Sequence, residues 1–175
     1  MNEIPRATPS ASAAEPRFAD HYRDHGDGTV TDIRTNLQWL RFSLGQSWEH
    51  DACVGRAQTY TWQQALEAAA ALNAQGGYAG CQDWRVPAKE ELQTLVYCSN
   101  GDPRPWNPDR RCQGCFQRPT IYLPAFPNTQ ADWYWTASTY SANHHSAWNV
   151  DFFYGGVSAY SKVLEGCVRL VRGGW

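Results

Sequence analysis

Charge is scarce in this chain. Asp, Glu, Lys and Arg make up 18% of the 175 residues, and 15 basic against 17 acidic side chains leave a net charge of −2. No basic field exists to draw nucleic acid or anionic lipid onto the surface, so neither partner is expected. Long apolar runs are also missing. No stretch approaches the roughly 20 residues that span a bilayer, so membrane insertion is not expected. The first residues have no apolar core of the kind a signal peptide carries, only Pro5, Pro9 and Pro16 with Ser and Ala between them. Either a leader is cleaved or the protein stays inside the cell, and both readings stand at this point.

What is present is globular. Apolar residues make up 42% of the chain, enough for a sizeable core. Residues 1–16 read as a flexible tail and 17–175 as one domain. Six cysteines are an even number and suit an oxidising compartment, although a chain of this length can fold without disulfides. Nine tryptophans are unusual and point to large amphipathic rings in cores and binding surfaces.

The aromatic residues concentrate near the C-terminus. The stretch 133–175 holds four of the tryptophans, at 133, 135, 148 and 175, together with Tyr134, Tyr140, Tyr154 and Tyr160. Within it Trp148, Val150 and Phe152 alternate with Asn149, Asp151 and Phe153. That is the period of a strand, with the first set expected to face a core and the second to face out. Rings and short polar groups on one face are the mixture of a binding surface. Candidate ligand-binding residues are therefore Tyr134, Ser138, Tyr140, Asn143, His144, His145, Asn149, Asp151, Phe153, Tyr154, Ser158, Tyr160 and Ser161. No catalytic residue, metal or cofactor is expected.

The rest of the chain reads as scaffold. Asp24 to Gly28 form a turn leading into a hairpin, Thr29–Ile33 against Leu37–Leu40. Asp24, Asp27 and Asp32 have a calcium-loop reading, but their spacing misses the EF-hand pattern and turn chemistry explains them as well. Residues 41–59 read as loop. Thr61 and Gln64 form a capping box for a helix whose stripe is Trp62, Ala65, Leu66, Ala69 and Leu72, ended by Gly76-Gly77. Pro87 opens a second helix over 88–97, with Leu92, Leu95 and Val96 inward and Glu90 and Glu91 near its positive end. Residues 98–119 form a long loop that its cysteines could staple. Strands are expected near 133–138, 147–153, 157–161 and 167–172, with turns at 141–145 and 155–156. The order predicts an α+β fold with helices segregated from an antiparallel sheet.

Two pairs have second readings. His144 and His145 would point to opposite faces of a strand, so as metal ligands they would need a turn; exposed turn residues fit better. Cys112-Gln113-Gly114-Cys115 has the spacing of a redox or half-zinc motif, but neither a βαβ context nor a second pair accompanies it.

Five ordered motifs carry a resemblance: DGTVTDIRTNLQWL, YTWQQAL, GGYAGCQDWRVPAKEELQTLV, FPNT, and YWTAS with AWNVDFFYGGV and VRLVRGG. Over roughly Asp27 to Gly174 the chain resembles the bacterial Lcl C-terminal domain family. The resemblance implies a C-type-lectin-like fold, with two helices beside a twisted antiparallel sheet and a long irregular loop. It also implies an extracellular or cell-surface ligand-binding module, an adhesin for a protein or glycan ligand, without enzymatic activity. By the same comparison Phe42 stands where a cysteine is common, which leaves Cys53 to pair with Cys81. Cys98, Cys112, Cys115 and Cys167 would then form further structural disulfides in an open pairing. The Trp148 to Asp151 run resembles the Trp-Asn-Asp element of calcium-dependent lectins with one residue inserted, but their partner motif is absent.

Two further resemblances give alternatives. Variable proteins of diversity-generating retroelements use a similar fold, and adenine rewriting of their C-terminal codons cannot yield Trp, Met, Lys, Gln or Glu. Tyr140, Asn143, His144, His145, Asn149, Asp151, Phe153, Tyr154, Ser158, Tyr160 and Ser161 all avoid those five types, while Trp148, Val150, Phe152 and Val157 would be the fixed frame. A fixed-specificity adhesin is the other form of the same reading. The formylglycine-generating enzymes also have a related fold and use a reactive cysteine pair near the C-terminus. Here Cys167 has no neighbour to pair with after residue 115, so catalysis is not expected.

Overall fold

The computed structural model describes residues 21–101 and 111–173. The expected tail at 1–16 lies outside the described residues. The first strands follow from turn chemistry. The Asp27 carboxylate accepts from both the amide and the hydroxyl of Thr29, at 2.9 and 2.6 Å. The Asp24 carboxylate accepts from the Gly26 amide and pairs with Arg41, and Asp32 holds Arg34. These carboxylates are spent on turns and guanidinium groups, and among the described residues no group of three His, Cys, Asp or Glu could hold a metal ion.

That chemistry sets β1 (Tyr22–Asp24), β2 (Thr29–Asp32) and β3 (Leu37–Leu40). The last described strand, β9 (Val171–Gly173), returns to pair with β3, giving a four-stranded antiparallel sheet in the order β1-β2-β3-β9. Residues 41–59 are not all loop: β4 (Ser47–Glu49) and β5 (Ala52–Val54) make a small hairpin. Its turn takes His50 and Asp51 at φ 50 and 62°, without the glycine that marks most two-residue hairpin turns in a sequence.

The first helix, α1 (Trp62–Ala74), starts where the capping box places it. Thr61 Oγ1 accepts from the Gln64 amide and Gln64 Oε1 accepts from the Thr61 amide. The second, α2 (Lys89–Gln93), is one turn and a little more, shorter than the expected 88–97. Its start is fixed by Glu91, which accepts from the Ala88 amide at 2.7 Å and takes both terminal nitrogens of Arg85. The chain beyond it leaves the helix because the Tyr97 amide bonds to Thr120 O instead.

The C-terminal region forms β6 (Trp133–Thr139), β7 (Ser146–Asp151) and β8 (Gly156–Ser161), an antiparallel sheet in chain order. Both of its faces are covered. Tyr134 and Val150 join Trp39, Val171, Leu92, Leu95, Phe126 and Phe152 in one core. Trp135 and Ala147 join Leu40, Phe42, Ala65, Ala69, Trp84, Val168 and Leu170 in the other. The sheet is thus the wall between two cores, and the architecture is α+β with two helices and antiparallel sheets.

The cysteines depart from expectation. Cys98 and Cys112 are bonded, and Cys53, Cys81, Cys115 and Cys167 are free. The expected Cys53–Cys81 bridge is not formed. Both thiols instead pack as small apolar groups against the second core.

Candidate functional site

The two-sided burial of the C-terminal sheet decides which expected site residues can touch a ligand. Tyr134 and Asn149 cannot, since both are 0% exposed. Tyr134 lies in the first core, where its hydroxyl meets Ser43 Oγ at 3.0 Å and accepts from the Gln130 amide at 3.2 Å. Asn149 sits opposite Trp135 on β6 and Ser158 on β8, on the face the second core covers. Its Oδ1 and Nδ2 meet no hydrogen-bond partner, so the side chain is buried at a cost of about 1–3 kcal/mol. Alternation put Asn149 outward because it presumed one wet face, and this sheet has none at that position. Trp148, expected inside, is half-buried, with Tyr140 edge-on to its ring at 5.0 Å and the Lys89 ammonium over it at 4.7 Å. Ser138 is half-buried, and its hydroxyl accepts from the Lys89 amide at 3.0 Å.

Apart from Ser158 and Tyr160 on β8, the remaining expected residues fall into two groups at opposite ends of β7, whose six residues span about 17 Å. One end is the β6–β7 loop. Its backbone is pinned by hydrogen bonds from the Tyr140 amide to Ser146 O, the Asn143 amide to Tyr140 O, the Ser146 amide to Asn143 O, and the Lys162 amide to His145 O. Asn143 Oδ1 adds one more by accepting from the His145 amide. Among the described residues the side chains of His144 and His145 have no hydrogen-bond partner, and both are exposed. Ser161 is exposed beside them, opposite Ser146, and Lys162 stacks over Trp62 at 4.1 Å. The loop's backbone is held by these bonds, while the two imidazoles project into solvent.

The other end is the β7–β8 turn. Asp151 is half-buried and spends one oxygen on the Phe153 amide. Phe153 and Tyr154 are 38% and 47% exposed, with their rings edge-on at 4.6 Å. Along the edge strand between the two ends, Ser158 is half-buried, and Tyr160 is exposed with its ring against Trp133.

Sequence reasoning missed the cations that sit on these rings: Lys89, Lys162 and Arg118. Lys89 lies in the first turn of α2 and Arg118 in the long loop, and no local pattern ties either to a ring far along the chain. Lys162 directly follows the expected strand 157–161, and its place beside Ser161 was the signal available.

The buried polar centre of the molecule lies elsewhere. Arg169 is fully buried and donates to Leu40 O at 2.9 Å and Thr129 Oγ1 at 2.7 Å, with Phe126 stacked against it at 5.0 Å. Burial pushes its pKa down. Burial likewise pushes the Tyr134 phenol up to about 12 and the neighbouring Cys167 thiol up to about 11. Cys167 lines an open groove of about 450 Å³ with Arg56, Gln58, Thr59, Gln130 and Asp132. A thiol with that pKa is protonated at neutral pH, the opposite of an activated nucleophile.

Two comparisons with known proteins complete the picture. The family model described as the Lcl C-terminal domain matches residues 28–172. No curated protein matches the chain.

Proposed function

The chain belongs to the Lcl C-terminal domain family, and from that premise we propose that it is a non-enzymatic ligand-binding domain with a C-type-lectin-like fold. Its ligand contacts are the side chains of the β6–β7 loop, Tyr140, Asn143, His144 and His145, joined by Ser161. The observation that carries this reading is the division of labour in the loop. Local hydrogen bonds hold the backbone, and the two imidazoles have no hydrogen-bond partner among the described residues. A ligand would gain affinity from burial of the Tyr140 ring and specificity from imidazole and amide hydrogen bonds that a wrong ligand leaves unmet. The protonated Cys167 thiol speaks against a catalyst. The Cys98–Cys112 disulfide fits an extracellular or surface-displayed domain.

The test is binding on a glycan and protein array by the parent chain and by Tyr140→Ala/His145→Ala. The variant is expected to lose its hits with an unchanged melting temperature. Equal binding by both would end this reading.

A diversified form of the same reading is favoured by the residue types at 140–145, which all avoid Trp, Met, Lys, Gln and Glu. DNA near the coding region then contains a near-copy of the segment, differing at adenines and lying beside a reverse transcriptase. The differences are expected at codons for the exposed β6–β7 loop, and not at Tyr134 or Asn149, which are buried. Absence of the copy leaves an adhesin of fixed specificity.

A further inference from the structure

The β7–β8 turn carries a feature that the proposed function does not use. The Arg118 guanidinium lies over three rings, 4.6 Å from the centroid of Phe116, 4.5 Å from Phe153 and 5.3 Å from Tyr154. Its Nε donates to Phe153 O at 3.0 Å, which fixes the plane of the group. Among the described residues its two terminal nitrogens have no hydrogen bond or ion pair.

Arg111 flanks the same turn. A Cβ placed at Gly156 would meet Arg111 Nε at 2.8 Å and Cγ at 2.9 Å, so this side chain lies directly on the strand backbone. It too has no ion pair among the described residues. Three residue steps separate Phe153 from Gly156, a span of at most about 11 Å. The one carboxylate in the turn, Asp151, accepts from the Phe153 amide.

The platform is rigid. The Cys112 amide bonds to Tyr154 O at 2.8 Å and the Thr120 amide to Phe152 O at 2.6 Å, and the Cys98–Cys112 disulfide sits behind Gly155.

We propose that this end of the sheet is a second binding site, in which Arg118 and Arg111 receive the carboxylates of an acidic segment of a partner protein and Phe153 and Tyr154 pack against its neighbouring apolar side chains. A planar guanidinium held by its Nε presents the fork that a carboxylate accepts in two parallel hydrogen bonds. Exposed rings beside an unpaired arginine are the residues that dominate protein–protein contacts. A sugar is less well served here, because Arg118 already covers ring faces on which it would stack.

The experiment is an NMR titration of the full chain with a blocked tetrapeptide of two glutamates flanked by leucines, its two-glutamine counterpart, and sodium glucuronate. The glutamate peptide is expected to shift the Arg118 Nε–H signal and the amides of Phe153 and Tyr154, and to bind at least about tenfold more tightly than the glutamine peptide. Arg118→Lys keeps the charge and loses the fork, so it should erase that tenfold preference while the rest of the spectrum stays in place. Tyr140→Ala should leave the preference intact, which separates this site from the loop at the other end. Equal binding of the two peptides would overturn the proposal. So would shifts confined to residues 140–145, or glucuronate acting at the turn at lower concentration than the peptide.

Discussion

The two ends of β7 are built on different plans. Apart from the Lys162 amide on His145 O, the β6–β7 loop is held by hydrogen bonds between its own residues and the adjoining end of β7. The β7–β8 turn is held by a distant piece of chain, through Cys112, Arg118 and Thr120. A loop whose shape comes from its own backbone tolerates a change of side chain. A turn fitted against a remote segment does not, because its side chains and its missing side chains are part of the fit. The first plan suits a surface that varies in specificity, and the second suits a fixed anchor.

The comparison can be broken, or sharpened, by a graded set of changes. Removing the disulfide with Cys98→Ala/Cys112→Ala should have the largest effect. Freeing a loop closed over a sequence separation of 14 residues costs about 3 kcal/mol, read by denaturant unfolding. Gly155→Ala comes next, at about 2 kcal/mol. Gly155 has φ +73°, and an added Cβ would stand 2.8 Å from Val96 Cγ1 and 3.0 Å from Cys112 Sγ. A loss under about 0.5 kcal/mol would show that the turn is no tighter than the loop.

Alkaline pH probes the wall between the ends. The Cys167 thiol is raised from its ordinary 9.0 to about 11, so the stability it contributes is complete below pH 9 and lost as pH rises through 11. At pH 10 the loss is about 1 kcal/mol, and Cys167→Ala should remove that part of the pH slope. Asn143→Ala follows, at about 0.5–1 kcal/mol for its bond to the His145 amide. His144→Ala and His145→Ala should change stability least, by under about 0.5 kcal/mol each. A loop substitution as costly as Gly155→Ala would erase the distinction between the two plans.

Much of this fold could be read from the chain. The capping box at Thr61, the hairpin at 29–40 and the three C-terminal strands stand within a few residues of expectation. They depend on local chemistry: a hydroxyl facing an amide, an Asp beside a glycine, alternation along a strand. The hairpin at 47–54 and the early end of α2 turn on contacts that no local pattern encodes. The site was half legible for the same reason. Exposure of residues 143–145 follows from a turn between two strands. Burial of Asn149 depends on Trp135 and the second core closing over a face that alternation leaves open. The Cys98–Cys112 pairing was one of several that the loop allowed. The free state of Cys53 and Cys81 follows from packing that no cysteine spacing expresses.

The segment from Cys167 to Val171 alternates between the two cores, with Cys167 and Val171 in one and Val168 and Leu170 in the other. It also hydrogen-bonds far back along the chain, where the Leu40 amide donates to Leu170 O and the Leu44 amide to Val168 O. During synthesis neither core can close until these residues have left the ribosome. The nascent domain must therefore wait with its tryptophans open to solvent, and a chaperone that shields aromatic segments should raise its yield more than it raises the yield of a helical domain of equal length.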